Sequence, residues 1–157
     1  NAVYWLWRNP DQRGLVQADP SLIPRWVEET LRYDGSTQVL TRTVSGEGEL
    51  HGQRLRDGDR VVLLVGSANR DERVFPDPDR YDVFRDTNAM LSFGQGTHFC
   101  LGAALARLEA RVALEEVQHR FPDFEIDPSG ITRVHSVSVR GFAALPMSFT
   151  PGRAEGA

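Results

Sequence analysis

Residues 93–102 read Phe-Gly-Gln-Gly-Thr-His-Phe-Cys-Leu-Gly, and this stretch decides the fold prediction. It contains the only cysteine of the 157-residue chain, Cys100, with three glycines around it. Glycine adopts backbone conformations closed to other residues and lets a chain approach a flat ligand closely. The run from Leu101 to Ala110 is rich in Leu and Ala and therefore favours a helix. Cys100 is thus predicted to lie in a tight loop at the N-terminus of a helix.

A cysteine in that position has three possible roles. The partial positive charge and the unpaired N–H groups of a helix N-terminus lower the pKa of a thiol and favour the thiolate. A thiolate held in a rigid loop rich in N–H groups is a good ligand for iron. A lone cysteine is otherwise most often a small buried hydrophobic residue. A catalytic cysteine nucleophile is the third alternative, and it would need a histidine partner.

The spacing Phe-Gly-x-Gly-x-His-x-Cys-x-Gly resembles the haem-binding signature of the cytochrome P450 family. The resemblance implies that Cys100 is the axial thiolate ligand of a haem b iron. It further implies that His98 and Arg42 bind the haem propionates. Phe93, Gly94 and Gly102 are the other residues of the signature expected to contact the haem. One position departs from the family pattern, since Met90 stands where many members carry a histidine, and a thioether cannot donate a hydrogen bond.

A second motif, Glu-x-x-Arg, occurs at Glu29 and Arg32 on a predicted helix over residues 21–34. Side chains three apart are neighbours on one helix face, and an ordinary surface pair of this kind contributes little to stability. The resemblance instead implies a buried pair, completed by a second arginine, Arg80. A buried pair is costly to break from one side.

The resemblance covers nearly the whole chain, from about Asn9 to Pro151, and is strongest to soluble bacterial members. The predicted fold class is mainly α with small β-sheets (α+β), as in the C-terminal portion of a single cytochrome P450 domain. Its expected parts are the end of a distal helix and a short helix (1–20), the Glu-x-x-Arg helix (21–34), a small sheet (36–66), an irregular meander (67–92), the haem-binding loop (93–102), the proximal helix (101–121) and a terminal hairpin (130–150).

Two details of these elements are specific. Ser21 is predicted to cap the Glu-x-x-Arg helix. Four apolar residues are predicted to form one stripe along the proximal helix: Leu101, Leu105, Leu108 and Val112. Residues 152–157 are predicted to be disordered.

Composition narrows the class of protein. A hydrophobic fraction of 40% and a charged fraction of 25% are typical of a soluble globular domain. The net charge of −4 and the dispersed basic residues do not indicate nucleic-acid binding. A single cysteine fits a reducing compartment, so a cytoplasmic location is expected. No apolar run approaches the roughly 20 residues that span a bilayer, so no membrane association is expected. The chain begins with Asn, which suggests a fragment.

Three functions follow as hypotheses. The first is a haem-thiolate monooxygenase that hydroxylates a small apolar organic substrate with O₂ and electrons from a ferredoxin-type donor. The second is a truncated haem-binding or inert remnant without turnover. The third is an unrelated α+β domain with a structural cysteine. On the first hypothesis the 157 residues alone should be inactive and should self-associate, because the distal helix with its acid–alcohol pair is missing.

The resemblance also places the partners of the first hypothesis. The residues expected to face the substrate are Ser36, Thr37, Gln38, Val39 and Phe142. An acidic electron donor is expected to dock on the proximal face, where the sequence offers Arg70, Arg73, Arg107 and Arg111.

Overall fold

The computed structural model of the chain describes residues 1–150, so the tail predicted to be disordered lies outside the described residues. Its α-helices are α1 (Ala2–Arg8), α2 (Pro10–Ala18), α3 (Ile23–Asp34), α4 (Val65–Ala68) and α5 (Ala103–Arg120). Its strands are β1 (Val39–Thr43), β2 (Gly48–Leu50), β3 (Gln53–Leu55), β4 (Arg60–Leu64), β5 (Asp123–Ile126), β6 (Thr132–Arg133), β7 (Phe142–Ala144) and β8 (Met147–Thr150). Short 3₁₀ turns occur at Pro20–Leu22, Gly96–His98 and Pro128–Gly130. The predicted α+β class is confirmed.

The core lies around α3, which separates apolar and polar faces more strongly than α2 or α5 does. Trp26 is fully buried, and Ile23 and Val27 are nearly so. Residues from α1, α2, the 3₁₀ turn before α3, α5 and the meander complete the core cluster: Leu6, Val16, Leu22, Tyr81, Val83 and Leu114. The start of α3 differs from prediction, because Ser21 lies inside a 3₁₀ turn that Asp19 caps, and α3 itself has no side-chain cap.

The strands form four two-stranded antiparallel sheets within residues 1–150. The largest pairs β1 with β4, in the register Val39↔Leu64. Within the predicted terminal hairpin (130–150), β6 and β7 pair as a short antiparallel hairpin, but the predicted second strand is divided, and its end, β8, pairs with the unpredicted β5. Pro146 separates β7 from β8, and proline has no N–H to continue a ladder. Residues 134–141 contain no extended strand; Val139 makes only an isolated bridge to Thr37.

Helix α5 carries apolar residues on two sides. Ala103 and Leu114 are buried, on the side that packs against α3. The predicted stripe lies on the other side and is exposed: Leu101, Leu105, Leu108 and Val112. We call these four residues the outer α5 stripe. None of the helices within residues 1–150 has the length and apolar character needed to cross a membrane.

Candidate functional site

The loop before α5 is tight and places Cys100 at its end. The Cys100 amide donates a hydrogen bond to the Phe93 carbonyl at 2.8 Å, which closes the loop. Gly94 and Gly96 have φ of +72° and +70°, a region that favours glycine. A Cβ added at Gly94 would lie 3.4 Å from the carbonyl oxygen of His98, so the turn also leaves little room there. Cys100 is exposed and lies two residues before the N-cap of α5.

Cys100 lines a groove of about 930 Å³ between the loop and the β1–β4 sheet. Its apolar walls come from α3, β1, β4, α4 and the end of the meander: Leu31, Leu40, Val62, Leu63, Leu64, Val65, Ala68, Leu91 and Phe93. Its polar lining residues are Ser36, Thr37, Arg42, Ser92, Gln95 and His98. The volume is within the range of small-molecule and cofactor pockets.

The donor set of this groove suits haem. The thiol of Cys100 is a soft ligand for iron, and the apolar walls suit a flat hydrophobic ring. Arg42 is exposed, and its guanidinium has no carboxylate partner within residues 1–150; it donates only to the Thr41 carbonyl, at 3.1 Å. A cation at the groove without an acidic partner suits a propionate. His98 lies in the same lining, whereas Met90 does not.

The structure brings together most of the residues predicted for this site. Phe93, Gly94, His98, Cys100 and Arg42 all line the groove. Gly102 does not line it; it forms the N-cap of α5, where an added Cβ would lie 3.9 Å from the Cys100 sulfur. Gly102 therefore lies behind the loop and does not face the groove.

The residues predicted to face the substrate divide into two groups. Ser36 and Thr37 line the groove. Gln38 and Val39 do not, because the Gln38 side chain turns back to donate to the Gly35 carbonyl at 2.6 Å and Val39 points to the other face of β1. Phe142 lies in a neighbouring groove of about 440 Å³. The centroid of its ring is 4.8 Å from the centroid of the Tyr4 ring.

The apolar walls that the sheet contributes were not among the predicted site residues. Leu40 and Arg42 are two residues apart on β1 and therefore share a face. Counted backwards from Arg42, this alternation predicts that Leu40, and not Val39, faces the groove. On β4, alternation would have found only Leu63, which lies opposite Leu40, because the consecutive residues Val62, Leu63 and Leu64 all line the groove.

Beneath the site, Glu29 and Arg32 form a bidentate pair at 2.7 and 2.8 Å, and both side chains are buried. Glu29 also accepts a hydrogen bond from the Asp82 amide at 3.0 Å. The second guanidinium belongs to Arg85, whose Nε lies 3.4 Å from Glu29. This corrects the expectation for Arg80, which has an exposed side chain and contributes only its carbonyl to Arg32.

Arg32 also fixes the meander through backbone carbonyls. Its guanidinium donates to the carbonyls of Asn69 and Pro78, at 2.9 and 3.0 Å. Asn69 in turn receives the Leu91 amide at 2.7 Å, next to the loop that holds Cys100. The meander is irregular, and buried side chains satisfy its backbone groups at Asn69, Pro78 and Leu91.

The four arginines predicted to attract an electron donor all have acidic partners. Arg107 binds Glu28, Arg70 binds Asp79, and Arg111 lies 3.8 Å from Glu115. Arg73 binds Asp71 and holds the pKa of that carboxyl at about 2. The positive charge of these four guanidinium groups is therefore largely neutralised.

Comparison with known proteins identifies the family. The family model described as Cytochrome P450 matches residues 20–137. A cytochrome P450 of Mycobacterium tuberculosis that bears the number 123 is 54% identical over 149 residues, which are 94% of this chain and 37% of that protein. The steroid C26-monooxygenase of the same species is 43% identical and matched over 93% of this chain and 37% of its own length.

A solved structure agrees. Cytochrome P450 CYP109Q5 from Chondromyces apiculatus superposes with a TM-score of 0.92 at 41% identity, over 98% of this chain and 40% of that one. The chain thus spans less than half the length of the relatives that it matches. Family model, relatives and superposition agree over most of its residues, and the chain belongs to the cytochrome P450 family.

Proposed function

We propose that the protein formed with this chain is a haem-thiolate monooxygenase that hydroxylates a small apolar organic molecule with O₂. Cytochrome P450 proteins bind haem b, and relatives of this chain are named monooxygenases and hydroxylases. The observation that carries the proposal is the position of Cys100, at the end of a tight loop and in an apolar groove that also presents Arg42. Bound haem would supply the oxygen-activating centre.

The residues of this chain would hold and shield that centre. Cys100 would ligate the iron, and Arg42 and His98 would bind the propionates. Phe93 and Gly94 would shape the proximal loop, with Gly102 supporting it from behind. Leu31, Leu40 and the other apolar wall residues would exclude water from the ring. Glu29, Arg32 and Arg85 would keep the meander and the loop in register.

The substrate is proposed to be apolar. One relative is named a steroid C26-monooxygenase, another is 6-deoxyerythronolide B hydroxylase of Saccharopolyspora erythraea, and one similar structure from Bacillus megaterium is a complex with testosterone. Ser36 and Thr37 are the residues of this chain that we expect to contact substrate. Their hydroxyl groups would orient a polar substituent, while binding itself would come from apolar burial.

A ferredoxin-type donor is proposed to supply the electrons in the cytoplasm. The proximal arginines are paired, so we expect only moderate electrostatic steering. Reduction by an acidic ferredoxin should slow as salt concentration rises, by less than for a face of unpaired arginines.

The decisive experiment concerns Cys100. The protein is loaded with haem, reduced and exposed to carbon monoxide, and the Soret band is recorded. The unaltered protein should show the red-shifted band of thiolate-ligated haem, and Cys100→His should lose it while retaining haem. If Cys100→His keeps the band, or if the unaltered protein never shows it, the proposed iron ligand is wrong.

A second variant tests the propionate site. Arg42→Gln should release haem to an acceptor protein faster than the unaltered protein. Arg60→Gln is the matched control, because Arg60 is also an exposed arginine of the same sheet but does not line the groove. Equal release rates for the two variants would contradict the role of Arg42.

A further inference from the structure

Arg107 makes two contacts at once, behind the loop that holds Cys100. From α5, its Nε and one terminal nitrogen donate to the two carboxylate oxygens of Glu28 on α3, at 2.5 and 3.0 Å. Its guanidinium carbon also lies 4.6 Å from the centroid of the Phe93 ring. Phe93 begins the loop, and its carbonyl accepts the Cys100 amide. A cation, a carboxylate and an aromatic ring are thus connected directly to the cysteine loop.

Stability alone gives this arrangement a small role. Arg107 and Glu28 are 36% and 26% exposed, and pairs at such sites contribute at most about 1 kcal/mol. The geometry is nevertheless specific. A bidentate carboxylate fixes the plane of the guanidinium, and a guanidinium within about 6 Å of a ring centroid is attracted to it. Glu28 therefore fixes the position of the Arg107 guanidinium against Phe93, which holds this cation beside the Cys100 loop.

The charges of the pair oppose each other. Reducing ferric to ferrous haem adds one electron, so the centre becomes one unit more negative. A nearby cation favours the reduced form and a nearby anion disfavours it. The Arg107 guanidinium lies against Phe93, whereas Glu28 approaches from α3 and cancels part of its effect. Loss of either partner leaves the charge of the other uncompensated.

We propose that Glu28 and Arg107 form a charge pair beside the Cys100 loop, and that the balance of their two opposite charges sets the reduction potential of the haem iron. The inference rests on the proposed function, because it needs haem bound through Cys100. It assigns to Arg107 a role within the protein, in contrast to the docking of a partner.

The test measures the ferric–ferrous midpoint potential of haem-loaded variants by spectroscopic titration. Glu28→Gln should raise the potential and Arg107→Gln should lower it. Each should change the equilibrium between the two oxidation states by about threefold or more, which for one electron is about 30 mV. The double variant should return towards the unaltered value. Raising the ionic strength should shrink the single-variant shifts, because the pair is partly exposed.

Two further variants separate charge from structure. Arg107→Lys keeps the cation but loses the planar fork, so it should stay closer to the unaltered potential than Arg107→Gln does. Arg120→Gln is the control: it removes the same charge from α5, in an exposed pair with Glu116 at the far end of the helix. It should leave the potential unchanged.

The outcomes are distinguishable. If the two single variants shift the potential in the same direction, or not at all, the charge pair is overturned while a normal thiolate–haem spectrum leaves the proposed function intact. If Arg107→Gln does not retain haem, Glu28→Gln and Arg107→Lys still decide the matter by the sign and size of their shifts. If the unaltered protein lacks the thiolate–haem band, both inferences fail.

Discussion

Removal of Glu29 should be costly to the fold. Its side chain is 1% exposed and accepts four hydrogen bonds: two from Arg32, one from the Asp82 amide and one from Arg85. Glu29→Ala would leave the fully buried guanidinium of Arg32 without its counter-charge. Breaking a buried pair from one side costs about 3–5 kcal/mol. Because a whole domain is stable by only about 5–15 kcal/mol, this loss would be a large part of the total.

Urea unfolding measures this cost, with the fluorescence of the three tryptophans as the probe, of which Trp26 is fully buried in the folded chain. Glu47→Ala is the matched control, since Glu47 pairs with Arg54 at an exposed site where both side chains are about 70% accessible. That variant should lose no more than about 1 kcal/mol. The reasoning is refuted if Glu29→Ala and Glu47→Ala lose the same small amount.

The same assay tests the identity of the second arginine. Arg85→Ala should be more destabilising than Arg80→Ala, because only Arg85 places its guanidinium at Glu29. Arg85 also donates to the carbonyls of Asp77 and Arg80, at 2.9 and 3.1 Å. Replacing Arg80 leaves the carbonyl that it contributes in place. Equal losses for the two variants would contradict the network as described.

Three other predictions follow from local features. Burial raises the pKa of the Tyr81 hydroxyl, which lies 2.6 Å from the Thr30 hydroxyl. As pH rises, this hydroxyl therefore ionises in the unfolded chain before it does in the folded chain, and the free energy of unfolding should fall above about pH 10. The fall should be shallower in Tyr81→Phe. Gly94→Ala should lower the free energy of unfolding by about 1–2 kcal/mol in urea, because φ at Gly94 is +72°. Gly14→Ala, in the open middle of α2, should raise the free energy of unfolding by up to about 1 kcal/mol. A loss of stability in both variants would contradict this prediction. A preparation of the 157 residues alone should self-associate through the outer α5 stripe and turn over no substrate. In sedimentation, Leu105→Glu should associate less than the unaltered chain. A monomeric unaltered chain would contradict the predicted association.

Short-range signals in the sequence were sufficient for the central parts of the fold and of the candidate site. The glycines and the following helix placed Cys100 in a loop before α5. The i,i+3 spacing placed Glu29 beside Arg32 on α3. Each of these depends on backbone preferences or on helix geometry over a few residues, which the sequence states directly.

Other features depended on contacts between distant segments. Arg80 and Arg85 lie in one irregular stretch without periodicity, so only the path of the meander decides which guanidinium reaches Glu29. Likewise β5 pairs with β8 across more than 20 residues, and no local pattern distinguishes that partner from β7.

Helix α5 shows the same limit most clearly. Its residues are apolar on two sides, so periodicity alone does not say which side packs against α3. The tertiary structure buries Ala103 and Leu114 and leaves the outer stripe exposed. It also pairs Arg107 with Glu28, which lies 79 residues away in the chain. The sequence gives the sign of each charged side chain, but packing decides its partner. Ion pairs form between the side chains that the folded backbone brings within a few ångströms of each other.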